Sequence, residues 1–121
     1  MVVVGPLRVK VQLFWGEWHA MGPGKAELLE AVDREGSVPA AARAIGMSYR
    51  KAWMLIDRMN SAFVGPLVLT RENGGPAQGA TLTDLGREIV AAFRAVEGEV
   101  RAAAEASPHR RRLIDRLSRP S

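Results

Sequence analysis

Leu7, Val9, Val11 and Leu13 alternate with Arg8, Lys10 and Gln12, the two-residue period of a strand with one buried face, so a first strand is predicted over Leu7 to Trp15. Gly16 to Gly24 holds three glycines and Pro23 and is predicted as a loop that Trp18 and Met21 pack down. The period then changes to that of a helix. Leu28, Leu29 and Val32 recur at helical spacing between Lys25 and Arg34, and Gly36 marks a stop. Ser37 is an N-cap for a short second helix of small residues, Ala40 to Ala42, Ala44 and Ile45, which tolerates Pro39 in its first turn and ends at Gly46. Ser48 caps a third helix reaching about Ala62, with Ala52, Trp53, Ile56, Met59 and Phe63 along its apolar stripe and Arg50, Lys51, Met54, Asp57 and Arg58 on its other face.

Pro66 to Thr70 and Ala80 to Leu82 read as two short strands joined by a glycine-rich polar connector, a hairpin with a long, mobile tip. Thr83 caps a last helix. Its apolar positions Leu85, Ile89, Phe93, Val96, Val100 and Ala103 are three or four residues apart, a coiled-coil-like stripe that so small a domain has little core to cover. Leu85, Ile89, Phe93, Val96 and Val100 are therefore expected to pair with a second copy. Pro108 ends this helix. The fold class expected is mainly α with a small β component: a winged helix-turn-helix over residues 1–106 with an N-terminal strand and a long dimerisation helix, followed by a basic, flexible tail over 107–121.

Charge sharpens this picture. The 121 residues carry a formal net charge of +4, and the excess lies in the tail, where Arg110, Arg111, Arg112, Arg116 and Arg119 face only Asp115. Within the body, Arg43, Arg50, Lys51, Arg58 and Arg71 fall in the 29-residue stretch 43–71, where they are opposed only by Asp57, the electrostatic footprint of a polyanion-binding surface. A helix laid in the major groove brings the side chains near its N-terminus to base edges. Here those are Ser48, Tyr49, Arg50 and Lys51. Arg50 suits a guanine through paired hydrogen bonds, Ser48 and Tyr49 suit phosphate oxygens, and Lys51 and Arg58 suit either. Thr70, Arg71 and Gln78 are placed to reach a neighbouring backbone or minor groove from the hairpin. Trp53 at helical spacing reads as core.

Other chemistry is thinly represented. Cysteine is absent, which removes disulfides and thiolate metal sites. His19 and His109 stand alone, without a pattern of metal ligands, and Glu27, Glu30 and Asp33 read as a solvated helix face. Gly74, Gly75 and Gly79 lack the Lys-Ser/Thr of a phosphate-binding loop, so they read as a turn. No enzyme activity, cofactor or metal is expected. No run of residues has the length and apolarity of a membrane span, and the apolar opening Met1 to Pro6 is too short for a signal peptide, so a cytoplasmic protein is expected. Two other readings stay open: a winged helix that docks proteins, and a non-specific nucleic-acid binder driven by the tail.

The run from Gly36 to Asn60, with Ser-Tyr-Arg-Lys-Ala-Trp at its centre, resembles the N-terminal domain of ModE-type molybdate-responsive transcriptional regulators. The resemblance continues through Leu69-Thr70-Arg71, Gly74-Gly75, Gly79-Ala80 and Leu82-Thr83-x-x-Gly86, a wing and helix start that is also, more loosely, similar to LysR-type regulators. It implies a winged domain that dimerises through its first and last helices and binds double-stranded DNA at a palindromic operator linked to molybdate transport. In that family the oxyanion is held by separate C-terminal β-barrel modules. No residues here correspond to them, so molybdate binding is not expected in this chain.

Overall fold

Three helices follow one another, the second and third beginning where the sequence supplies a serine cap. Helix α1 (Pro23–Glu35) starts on a proline and stops at Gly36, whose φ of 80° is the left-handed conformation a glycine takes readily. Helix α2 (Val38–Ala44) is capped by Ser37, whose Oγ accepts from the Ala40 amide at 3.2 Å, and α3 (Tyr49–Ala62) by Ser48, whose Oγ accepts from the Lys51 amide at 3.1 Å. Between α2 and α3 the chain turns at Gly46, φ 68°, and the Met47 amide donates to the Ala42 carbonyl at 2.9 Å. The computed structural model describes residues 2–4 and 7–118, and these divide into two compact units: residues 12–93, and the described residues of the flanking segments, 2–4 and 7–11 with 94–118.

In the larger unit the first helix buries seven of its thirteen residues. Leu28, Leu29 and Val32 of α1, Val38 and Ala41 of α2, and Ala52, Ile56 and Met59 of α3 are buried, so the three helices share one apolar centre. Small residues in α2 let its neighbours approach closely. Strands β5 (Val68–Thr70) and β6 (Ala80–Leu82) close the unit as an antiparallel hairpin with Val68 opposite Leu82. The hairpin is tied at both ends: the Ala80 amide donates to the Gly36 carbonyl and the Thr83 amide to the Leu67 carbonyl, each at 2.9 Å. Helix α4 (Asp84–Ala106) then begins on Thr83, whose Oγ1 accepts from the Gly86 amide at 2.9 Å and donates to the Pro66 carbonyl at 2.8 Å.

Strand β3 (Leu13–Trp15) and strand β4 (Trp18–Met21) form a further antiparallel hairpin in this unit, with Trp15 opposite Trp18 across a two-residue turn at Gly16 and Glu17. This corrects two expectations. The single strand from Leu7 to Trp15 is broken at Lys10–Gln12, and the loop from Gly16 to Gly24 contains β4 and the start of α1. Met21 does pack down, being 2% exposed, but Trp18 is 67% exposed.

The smaller unit pairs β1 (Val2–Val4) with β2 (Leu7–Val9), Val2 opposite Val9. It also contains the second half of α4 and a helix α5 (His109–Arg116). The segment expected as a flexible tail is therefore helical over most of its described length, because Leu113, Ile114 and Leu117 recur at helical spacing among the arginines. Arg119 lies outside the described residues. Along α4, Leu85, Ile89, Val96 and Val100 are half-buried and Ala103 is exposed, whereas Phe93 is buried by the chain's own residues, which corrects its place on an open face. Among the described residues no helix is long and apolar enough to cross a membrane.

Candidate nucleic-acid interface

Helix α3 keeps its apolar stripe inside and leaves its N-terminal end bare. Ala52, Ile56 and Met59 are buried, while Ser48, Arg50 and Lys51 are exposed, Tyr49 is 55% exposed and Met54 is 41% exposed. The Tyr49 ring stands edge-on to Trp53, with centroids 6.1 Å apart and planes at 82°, so its hydroxyl end is carried by a ring packed along the helix. Trp53 itself is half-buried, less enclosed than a core position, and lines the groove between α3 and the hairpin with Thr70, Arg71 and Gly79.

Asn60 fixes the inner end of the helix. Its Oδ1 accepts from the amides of Leu67 at 2.8 Å and Val68 at 3.1 Å, and its Nδ2 donates to the Val68 carbonyl at 3.0 Å. Three hydrogen bonds from one side chain thus lock β5 to α3 and set where the wing lies beside the recognition helix. The wing's tip is more ordered than its glycines suggest. A 3-10 turn (Arg71–Asn73) follows β5, the Thr70 amide donates to Asn73 Oδ1 at 2.6 Å, and Asn73 Nδ2 donates to the Val68 carbonyl at 3.0 Å.

That turn corrects one site residue. Thr70 is 8% exposed and its side chain caps the turn, so it positions Arg71 and does not itself face outward. Arg71 and Gln78 are exposed on the wing, as a DNA contact requires. Arg58 lies two turns along α3 from Lys51 and lines a different cavity, beside Trp18 and Lys25. Among the described residues, Arg43, Arg50, Lys51, Arg58 and Arg71 take part in no ion pair, although the unit carries acidic side chains close enough in sequence to have supplied them. Unneutralised cations around an exposed, positively polarised helix N-terminus suit a phosphate-rich partner.

Residues 24–87, which take in α1 from its second residue, α2, α3 and the wing, match the family described as bacterial regulatory helix-turn-helix protein, lysR family. The chain belongs to that family. Its helix-turn-helix domain is of the ModE type. It is 41% identical over 99 residues to the molybdenum transport protein ModE of Azotobacter vinelandii, covering 82% of this chain and 34% of that one. It is also 40% identical over 80 residues to the molybdenum-pterin-binding protein MopB of Rhodobacter capsulatus, covering 66% and 30%, and 36% identical over 78 residues to MopA of the same organism. The chain spans about a third of the length of these relatives. In this helix-turn-helix domain the sequence located the Ser48 cap and exposed N-terminus of α3 and the exposed Arg71, and overlooked Asn60, whose partners are backbone atoms with no signature of their own.

Proposed function

We propose that this chain is a sequence-specific transcriptional regulator that acts as a homodimer on a palindromic operator and serves molybdenum homeostasis. The observation that carries the DNA reading is that Arg43, Arg50, Lys51 and Arg71 form no ion pair among the described residues, while the N-terminus of α3 is exposed and its opposite face is locked into the core. Ser48, Tyr49, Arg50 and Lys51 enter the major groove, and Arg71 and Gln78 on the wing hold the adjacent backbone. The half-buried stripe Leu85, Ile89, Val96 and Val100 on α4 is the surface a second copy covers. The molybdenum role rests on the names of the relatives, and the oxyanion itself is sensed outside this domain.

Selection of binding sites from a random duplex library, at near-physiological salt and with or without molybdate, tests the whole reading. Enrichment of a near-palindrome with half-sites about 34 Å apart, one turn of B-DNA, and unchanged by molybdate is expected. No enrichment by a folded protein overturns the DNA reading, and a molybdate effect overturns the assignment of sensing elsewhere.

A further inference from the structure

Behind the recognition helix, within the larger unit, a cavity of about 570 Å³ opens between the β3–β4 hairpin, the first turn of α1 and the C-terminal half of α3. That volume falls in the range of small-molecule sites. Its walls carry an unusual combination of side chains. Lys25 is only 7% exposed, and its ammonium donates to the His19 carbonyl at 2.7 Å. No carboxylate lies within ion-pair distance of Lys25 or Arg58 among the described residues. Desolvation, and then the positive charge of Arg58, pull the Lys25 pKa below its ordinary value. Two cations thus share one cavity without an ion pair among the described residues; Glu17 and Asp57 line the same cavity but stand beyond salt-bridge distance of either, so one anionic group placed between Lys25 and Arg58 would find both unpaired.

Three further features narrow the class of anion. The indole of Trp18 lines the cavity and is 67% exposed, with no aromatic partner among the described residues, so it offers a flat face for stacking. Ser61 adds a neutral hydroxyl. Glu17 and Asp57 also line the cavity without pairing to either cation among the described residues, so the lining carries no net positive charge and disfavours a ligand of several negative charges. We propose that this cavity binds a small aromatic monocarboxylate, its ring against Trp18 and its carboxylate between Lys25 and Arg58. Because Arg58 and Ser61 stand on α3, such a ligand touches the helix that reads DNA. That effector role rests on the function proposed above, whereas the binding itself does not.

The test is a titration of the ¹⁵N-labelled chain with 2-naphthoate, followed by amide and indole resonances, with 2-naphthol and inorganic phosphate as probes lacking the charge and the ring. Saturable shifts confined to the Trp18 indole and the backbone of residues 17–21, 25–26 and 57–62 are expected, with both control probes at least about tenfold weaker. Lys25→Met keeps the aliphatic stem and is expected to weaken naphthoate at least about tenfold. Because that variant also releases the His19 carbonyl, Ser61→Phe provides an independent arm: it fills the cavity from an exposed position of α3 and leaves both cations in place. No saturable binding, equal binding of 2-naphthol, or naphthoate binding that survives Ser61→Phe overturns the proposal. DNA is absent throughout, so the outcome is independent of the operator experiment.

Discussion

Replacing Asn60 with alanine removes three hydrogen bonds in a single truncation, and the structure says which of them matter. The Val68 carbonyl loses one donor but keeps Asn73 Nδ2 at 3.0 Å, so the damage falls on the amides of Leu67 and Val68, which lose the acceptor at 2.8 and 3.1 Å. Both residues are fully buried. A buried donor left without an acceptor costs about 1–3 kcal/mol. Position 60 is half-buried and water can follow the shortened side chain, so the lower part of that range applies to each amide and the expected loss is about 2–4 kcal/mol. Urea unfolding followed by far-ultraviolet circular dichroism, at one fixed protein concentration because association adds to apparent stability, reads this as a midpoint lowered by about 1–2 M. Asn60→Asp separates the causes. It keeps both accepting bonds and sets a carboxylate oxygen against the Val68 carbonyl, so it should lie between the parent and Asn60→Ala. A loss under about 0.5 kcal/mol for Asn60→Ala, within the usual spread of surface substitutions, would refute the clamp. An aspartate as damaging as alanine would show that the accepting bonds are not what holds the wing.

Four further outcomes test other parts of the argument. Gly86→Ala should destabilise by more than about 1 kcal/mol, against the gain of about that size which alanine ordinarily brings to a helix, because a β-carbon there would run into the Leu67 carbonyl oxygen; a more stable variant in the same urea assay would contradict the packing. Arg50→Ala should cost about 1–3 kcal/mol at one base position and relax specificity there, as measured by binding to a panel of single-base variants; equal losses on every sequence would make Arg50 a phosphate contact. Val96→Asp should dissociate the proposed homodimer in sedimentation and weaken operator binding with it, and a variant that remains dimeric would place the interface elsewhere. Burial, followed by the charge of Lys25, holds the His19 pKa below its ordinary 6.5. The unfolded chain therefore takes up a proton more readily than the folded one. Stability should fall as the pH drops through the region just below 6.5, and this fall should be absent in His19→Gln; parallel pH profiles for the two proteins would remove His19 as the cause.

The helices were legible because their signals are local. Ser37, Ser48 and Thr83 each accept from an amide three residues on, and Gly36 and Gly46 adopt positive φ where the helical spacing lapses. The first strand misled because its alternation runs unbroken through Lys10 to Gln12, where the backbone leaves one hairpin and enters the next. No change of residue class marks that break. A signal for the second hairpin was present in Trp15-Gly16-Glu17-Trp18, a two-residue turn with glycine at φ 61° between aromatic residues. Thr70 was misassigned for a similar reason: Asn73 three residues later is a capping partner, and the turn they form draws the threonine inward. Composition masked α5, since the arginines that suggest disorder alternate with apolar residues at helical spacing.

The two faces of α3 are held by different kinds of interaction. On the inner face, Ala52, Ile56 and Met59 are close-packed and Asn60 makes directional bonds to backbone atoms, so the axis and roll of the helix are fixed before any ligand arrives. On the outer face Arg50 and Lys51 have no acidic partner among the described residues and keep their side-chain freedom. Had carboxylates neutralised those cations, binding a phosphate would first require breaking an ion pair, and the gain from displacing counterions would shrink with each pair. A rigid helix with unpaired cations avoids both costs. In the function proposed above it also divides the roles within the domain: the clamp would set where Arg50 points, and therefore which base it meets, while the number of free cations would set how strongly affinity falls as salt is raised.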